Sequence, residues 1–448
     1  MPNGSWPSLD APIDPVFQFE AHQNQEIQKL SNIVVAAAYQ LINVVREPFL
    51  SLVDIACGSL LTAALNTTNE LNVAEVLREA GPDGTHIDEI ARRCQANSEK
   101  LGRCLRLLAA HHIFREVHPN VFALNRISSL LDTGIPHQKL QEDQLNKFIT
   151  HTKTGDISGY IGHFAEDVAK ASLYHLDDVR AGGEPHNLAQ TPFQKAFRTD
   201  GNLFNWMHDP AHQYEFTRHN ACIRATARWD TSETLVHGFD WGTLPPDSLV
   251  VDVGGGTGRP ALALAKAFSH LKILVQDREP VVQRGLEYWK DSCSEDPTTG
   301  RVSFAVHDFF EPQPILGARV YFARVVFHDW DDIHVIQILK HLRSAASPES
   351  RLVVADYITP FSISASIPQA GSVKTSTSTF DIPTPLLSNL GKASANTYYV
   401  DIAMQLLLNG KERTLLQHIH VVTEAGWRVV EVRPVVNSNF GFIIAEPA

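Results

Sequence analysis

The sequence predicts an α/β chain: a Rossmann-like, doubly wound domain that follows an N-terminal all-helical domain containing a winged helix. Three observations predict it. A buried-strand pattern runs directly into a glycine cluster in Val-Val-Asp-Val-Gly-Gly-Gly-Thr-Gly at residues 250–258. Short apolar strands and amphipathic helices alternate from residue 249 onward, and the residues before that show helical spacing with little strand signal.

Taken in order, residues 25–65 read as apolar helix, with Ile33, Val34, Ala37, Leu41, Val44 and Val45 recurring at three- and four-residue spacing. Short helices over 71–80, 87–94 and 100–111, then strand-like pieces at 114–116 and 121–124, make a winged helix and complete a first domain over 1–150. Residues 151–241 form a helical linker rich in large side chains, Phe193, Phe197, Phe204, Trp206, Met207, Tyr214, Phe216 and Trp229 among them. That stripe suits a lid over an aromatic substrate. The third domain spans 242–448: a strand around Asp252, a helix beginning near Arg259-Pro260, strands at 272–276 and 302–306, further strands at 319–323 and 351–355, and a terminal pair at 428–434 and 440–445. Residues 362–395, rich in Ser, Thr, Pro and Gly, break the rhythm and read as a mobile insertion.

Composition narrows the function classes. With 448 residues, 44% of them hydrophobic, the chain has the content of an ordinary globular protein, and no run approaches the about 20 apolar residues of a membrane span. Asp10, Asp14 and Glu20 near the N-terminus do not suit a signal peptide, so the expectation is a cytoplasmic protein without membrane attachment. A formal charge of -12 disfavours nucleic acid as a partner, and Lys100, Arg103 and Arg106 on the candidate recognition helix read as solvated side chains. The five cysteines, Cys57, Cys94, Cys104, Cys222 and Cys293, form no CxxC pair and read as core thiols. Apolar helices flanking the winged helix need a partner surface, and a homodimer supplies one.

The candidate chemistry lies at the carboxyl ends of the predicted strands. A strand, a glycine turn and a helix N-terminus suit both dinucleotides and methyl donors. Asp277, about 20 residues beyond the glycines, is placed to hydrogen-bond ribose hydroxyls. In His307-Asp308-Phe309-Phe310 an acid can reach an adenine amine while an aromatic ring lies on the base; no GxxxxGK[ST] follows, which disfavours ATP. His328 follows the strand at 319–323, and an imidazole with a pKa of about 6.5 suits general-base work. Its candidate partners are Asp356, ending the next strand, and Glu412 in Gly-Lys-Glu-Arg-Thr; a carboxylate on the distal ring nitrogen would fix the tautomer. His111, His112, His118, His341, His418 and His420 lack neighbours at metal spacing, and no metal is expected.

These pieces, LVVDVGGGTG at 249–258, QDREPVV at 276–282, HDFF at 307–310, FHDWDD at 327–332 and NGKERT at 409–414, resemble the S-adenosylmethionine-dependent O-methyltransferases that act on small molecules: the caffeate and flavonoid type with their fungal secondary-metabolite relatives. The resemblance implies that Gly254, Gly256 and Gly258 wrap the methionine side of the donor, that Asp277 holds the ribose, and that Asp308 and Phe309 hold the adenine. It implies that Arg324 touches the donor through its backbone, that Trp330 packs nearby, and that the N-terminal domain serves dimerisation. His328 is then the base, flanked by Asp356, where relatives often carry Glu, and by Glu412; Phe216 and Asn220 resemble positions near donor or acceptor. The implied acceptor is a phenolic or polyketide-type small molecule. Three departures stand out: His307 where relatives usually carry Gly, Arg278-Glu279 in place of an apolar residue, and the long insertion. Rival readings are a pericyclase or dehydratase that binds the donor without methyl transfer, a DNA-binding regulator, and an NAD-dependent dehydrogenase.

Overall fold

Glu47 and Pro48 interrupt what reads in sequence as one apolar helical run. The computed structural model describes residues 8–13, 24–148, 154–180, 190–226, 232–292, 300–363, 374–375 and 382–448, and the run at 25–65 becomes helices Gln25–Val45, Pro48–Ala56 and Gly58–Glu70. Proline cannot extend a helix yet starts one readily, and the Glu47 carboxylate caps the new helix by accepting from the Leu50 N–H at 3.0 Å. Trp229, Cys293 and residues 364–373 and 376–381 of the insertion lie outside the described residues.

One contact-dense unit takes in the described parts of residues 1–24, 41–181 and 192–228. Its winged helix is present: helices Val73–Ala80, Ile87–Arg93 and Ser98–Ala110 with strands β1 (Thr85–His86), β2 (Arg115–His118) and β3 (Val121–Ala123), ordered β1-β3-β2. Val73, Leu77, Ile90, Leu105, Phe114 and Phe122 fill its core. On helix Ser98–Ala110 the guanidinium of Arg103 pairs with Glu99 and that of Arg106 donates to Asn120 Oδ1 at 2.8 Å, so both are engaged by their own domain. Cys94 and Cys222 are buried as expected, and burial pushes the Cys94 thiol up to about 12; Cys57, by contrast, is exposed.

The second unit takes in the described parts of 25–40, 182–191 and 229–448. Its eight-stranded sheet comprises β4 (Leu249–Val253), β5 (Lys272–Asp277), β6 (Val302–Val306), β7 (Val320–Arg324), β8 (Arg351–Tyr357), β9 (Lys374–Thr375), β10 (Trp427–Pro434) and β11 (Phe440–Pro447), in the order β6-β5-β4-β7-β8-β11-β10-β9. Strands β4 to β8 pair in parallel, whereas β11 runs antiparallel to β8 and β10. A parallel sheet is covered on both faces, which is why its central strands read as mostly apolar runs. Val251, Tyr321 and Val354 enter one core with helix Asp332–Ala345; Val250, Phe322 and Ile273 enter the other with helix Arg259–Ala267. From β4 the chain adds β5 and β6 on one side, then returns to add β7 and β8 on the other. That reversal opens a crevice at the carboxyl ends of β4 and β7. Among the described residues no single helix is long and apolar enough to cross a membrane.

Candidate active site

The turn after β4 needs its glycines for two separate reasons. Gly254, Gly256 and Gly258 have φ of 67°, 60° and 77°, backbone that side chains with a Cβ rarely adopt. A Cβ on Gly255 would come within 2.6 Å of the Asp252 carboxylate, so here the hydrogen is needed for space. At Gly256 a Cβ would meet nothing within 4 Å, so the turn presents bare backbone to open room. The Asp277 carboxylate, at the end of β5, accepts from the Gly256 N–H at 2.9 Å and from the Arg278 N–H at 2.8 Å, tying two strand ends together. Burial raises its pKa, with these donors working against the shift.

Asp252 is the residue that sequence reasoning passed over. It is 1% exposed and neither carboxylate oxygen has a hydrogen-bond partner; burial pushes its pKa up to about 7, although Arg324 pulls it down. A lone acid within a buried apolar strand was the available signal.

After β6 the chain is held by the His307 N–H, which donates to the Asp277 carbonyl at 3.0 Å, and Asp308 stands exposed just beyond. Phe309, Phe310 and Trp330 form an edge-to-face cluster, with Trp330 centred 5.8 Å from Phe309 and 4.7 Å from Phe310. Thus the structure brings the three glycines, Asp277, Asp308, Phe309 and Trp330 to one edge of the sheet. Arg324 ends β7 at that edge. Val325, next to it, has φ of 53°, a strained state for a β-branched residue, and its N–H donates to the Ala355 carbonyl at 2.9 Å.

His328 lies in the short 3₁₀ turn Phe327–Asp329 and is 9% exposed. Its Nδ1 is 2.7 Å from Glu412 Oε1, and its Nε2 is 3.4 Å from Asp329 Oδ1. Asp356, 1% exposed, completes the group; one ring nitrogen or carboxylate oxygen from each of His328, Asp356 and Glu412 lies within 4.8 Å of the others. Both carboxyls named from the sequence are therefore beside His328, but the bond to its ring belongs to Glu412. The Asp356 Oδ1 accepts instead from the Tyr357 N–H at 2.9 Å. Burial disfavours a charged His328, yet Glu412, Asp329 and Asp356 outweigh it and push its pKa up to about 10. Burial likewise lifts Asp329 to about 6 and Asp356 to about 7, with His328 opposing each.

The loop bearing Glu412 is locked to the loop bearing His328. The Lys411 N–H donates to the His328 carbonyl at 2.9 Å, and the fully buried Arg413 donates to the carbonyls of Phe327 and Trp330, both at 2.7 Å, and to Asp332 at 2.9 Å. Lys411 reaches the other oxygen of Asp332 at 2.7 Å. Lys411 and Arg413 thus both grip Asp332, while Glu412 between them faces His328. Phe216 and Asn220 sit on helix Gln213–Thr226 of the other unit.

Known proteins share this combination of sequence and fold. An O-methyltransferase dimerisation domain matches residues 53–134, and an O-methyltransferase domain matches residues 174–377. An O-methyltransferase of Armillaria gallica is 37% identical over 430 residues, covering 95% of this chain and 90% of its own. The chain belongs to the O-methyltransferase family. 4-O-methyltransferase 1 of Phanerochaete chrysosporium is 33% identical to this methyltransferase, with 98% of this chain and 92% of that one covered. An O-methyltransferase from neocarzinostatin biosynthesis, solved with S-adenosylmethionine and 2-hydroxy-5-methyl naphthoic acid, matches with a TM-score of 0.61 at 21% identity over 86% of this chain and 96% of its own, a likeness of fold. Like its family, the methyltransferase depends on S-adenosylmethionine. The sequence-predicted fold class, a doubly wound domain behind a helical and winged-helix dimerisation domain, holds.

Proposed function

We propose that this methyltransferase places a methyl group on a phenolic hydroxyl of a small aromatic or polyketide-type secondary metabolite, acting as a cytoplasmic homodimer with His328 as general base. The observation that carries the base assignment is the 2.7 Å contact between His328 Nδ1 and Glu412 Oε1. It sets the tautomer: with Nδ1–H donated to Glu412, the lone pair of the neutral ring sits on Nε2. Asp329 lies 3.4 Å from Nε2, long for a hydrogen bond, which leaves room for a hydroxyl to compete.

The residues at the strand ends fit the donor. Asp252 supplies a buried, unpartnered carboxyl beneath the glycine turn, complementary to a cationic ligand, and Gly256 offers open backbone. On this reading Gly254, Gly256 and Gly258 follow its methionine portion, Asp277 takes ribose hydroxyls, and Asp308 and Phe309 take the adenine, with Arg324 and Trp330 alongside. When bound, S-adenosylmethionine supplies an electrophilic methyl group on a sulfonium. His328 Nε2 removes the hydroxyl proton as the acceptor oxygen becomes nucleophilic, Glu412 stabilises the imidazolium, and the proton then leaves to solvent. Alignment of the two bound partners would supply much of the rate. The naphthoic acid held by the neocarzinostatin enzyme supports fused-ring phenols as the first acceptors to try.

The test is transfer of labelled methyl from S-adenosylmethionine to a panel of phenolic metabolites, with donor affinity measured alongside. His328→Ala should keep donor affinity and lose about 10²- to 10⁴-fold in kcat, while Asp277→Ala should weaken donor affinity first. Loss of donor binding in His328→Ala would overturn the base assignment. Tight donor binding with dehydration or ring closure of an acceptor, and no labelled product, would establish the pericyclase or dehydratase alternative.

A further inference from the structure

Two buried carboxyls stand beside His328, and the base needs only one of them. Each has one oxygen with a donor and one without: Glu412 Oε1 meets His328 Nδ1 and Asp356 Oδ1 meets the Tyr357 N–H, whereas Glu412 Oε2 and Asp356 Oδ2 are enclosed and have no partner. Two ionised oxygens shut away this close repel each other and forgo hydrogen bonds that water would have given them. The cation on His328 favours ionised carboxyls, but its Nδ1 is taken by Glu412 Oε1 and leaves both second oxygens unpaired; the other neighbouring charges do not supply the missing donor. Arg413 is committed to Asp332 and two carbonyls, Lys411 to Asp332, and Asp329 and Asp401 add negative charge, Asp401 accepting from the Glu412 N–H at 2.8 Å. One proton satisfies both orphaned oxygens at once, because a protonated carboxyl donates where a carboxylate only accepts.

We propose that Asp356 is a neutral positioning acid: its Oδ2 carries a proton and donates it, directly or through one enclosed water, to Glu412 Oε2, so that Glu412 remains a carboxylate aimed at His328. One oxygen of each carboxyl and one ring nitrogen of His328 lie within 4.8 Å of one another, so the two carboxyls are near enough for a side-chain rotation or a single water to join them. Burial, which pushes the Asp356 pKa up to about 7, acts in the same direction. Asp356 and Glu412 therefore divide the labour: Glu412 bonds the ring and Asp356 quiets its second oxygen. The kinetic part of this inference rests on His328 being the base; the protonation state does not.

Asp356→Asn, Asp356→Ala and Glu412→Gln separate the possibilities, each variant first checked for folding and donor affinity. Asparagine keeps a donor at the place of the acid O–H, so Asp356→Asn should cost no more than about tenfold in kcat, whereas Asp356→Ala and Glu412→Gln should each cost about a hundredfold or more, with the KM for donor unchanged. Independently of turnover, the infrared difference spectrum between wild type and Asp356→Asn at neutral pH should contain the C=O stretch of a protonated carboxyl. If Asp356→Asn falls as far as Glu412→Gln, or if the protonated-carboxyl band is absent from that difference, Asp356 works as a carboxylate and the proposal fails. Absence of methyl transfer in every protein, with the band present, would count against the proposed function and leave the protonation of Asp356 established.

Discussion

His328 is a stronger base than an ordinary histidine and, for the same reason, holds a proton at neutral pH. With its pKa pushed up to about 10, the unprotonated fraction rises about tenfold for each pH unit below that value. The expected kcat/KM for a neutral phenol therefore climbs from pH 7 to pH 9. Glu412→Gln removes a group that raises the pKa, so in that variant the inflection should move to lower pH while the plateau falls; a pH–rate series on both proteins checks it. At this scale the sequence was informative about residue types and silent about bonds. It placed Asp356 and Glu412 beside His328 without showing which would take the ring nitrogen, because the shared contact joins residues 84 positions apart. It passed over Asp252, whose lack of any hydrogen-bond partner becomes visible only when the strand and the glycine turn are folded together.

Among the elements, strands β4 to β8 were readable from sequence because a parallel strand is apolar on both faces and its pattern is local. The two loops that hold His328 and Glu412 were not, since their mutual grip depends on Gly410 and Arg413 meeting a distant turn. Gly410 is needed for space and not for conformation: a Cβ there would stand 2.2 Å from the His328 carbonyl oxygen and 2.8 Å from the Asp329 carbonyl carbon, backbone that cannot turn aside. Gly410→Ala should push the His328 turn outward and lower kcat about a hundredfold, since a displacement of about 1 Å near the reacting atoms is that expensive, with overpacking of about 1–3 kcal/mol in stability. Single-turnover kinetics, thermal melts and donor titration together check it; unchanged kcat would mean the two loops are not rigidly joined.

On the scale of the whole molecule, helices Gln25–Val45 and Pro48–Ala56 carry apolar side chains that one chain leaves open: Val44 is 74% exposed, Phe49 66% and Ile55 78%. Patches of this kind are normally covered by a partner, and the matched dimerisation domain begins within them, at residue 53. Val44→Glu combined with Ile55→Glu should convert a dimer to a monomer in sedimentation velocity at micromolar protein; a wild-type monomer at the same concentration would refute the homodimer.

The sheet order has a consequence for how such an enzyme can diversify. Strands β4 and β7 are immediate neighbours, paired from Val250 with Val320 to Asp252 with Phe322, so the glycine turn leaves one strand and the turn bearing His328 follows the next. Their spacing is set by the repeat between hydrogen-bonded strands, about 4.8 Å, a ruler that loop substitutions and insertions elsewhere in the chain do not reset. Changes in helices and loops away from the turns that hold His328 and Glu412 leave that strand spacing as it is, a modularity built into the backbone itself.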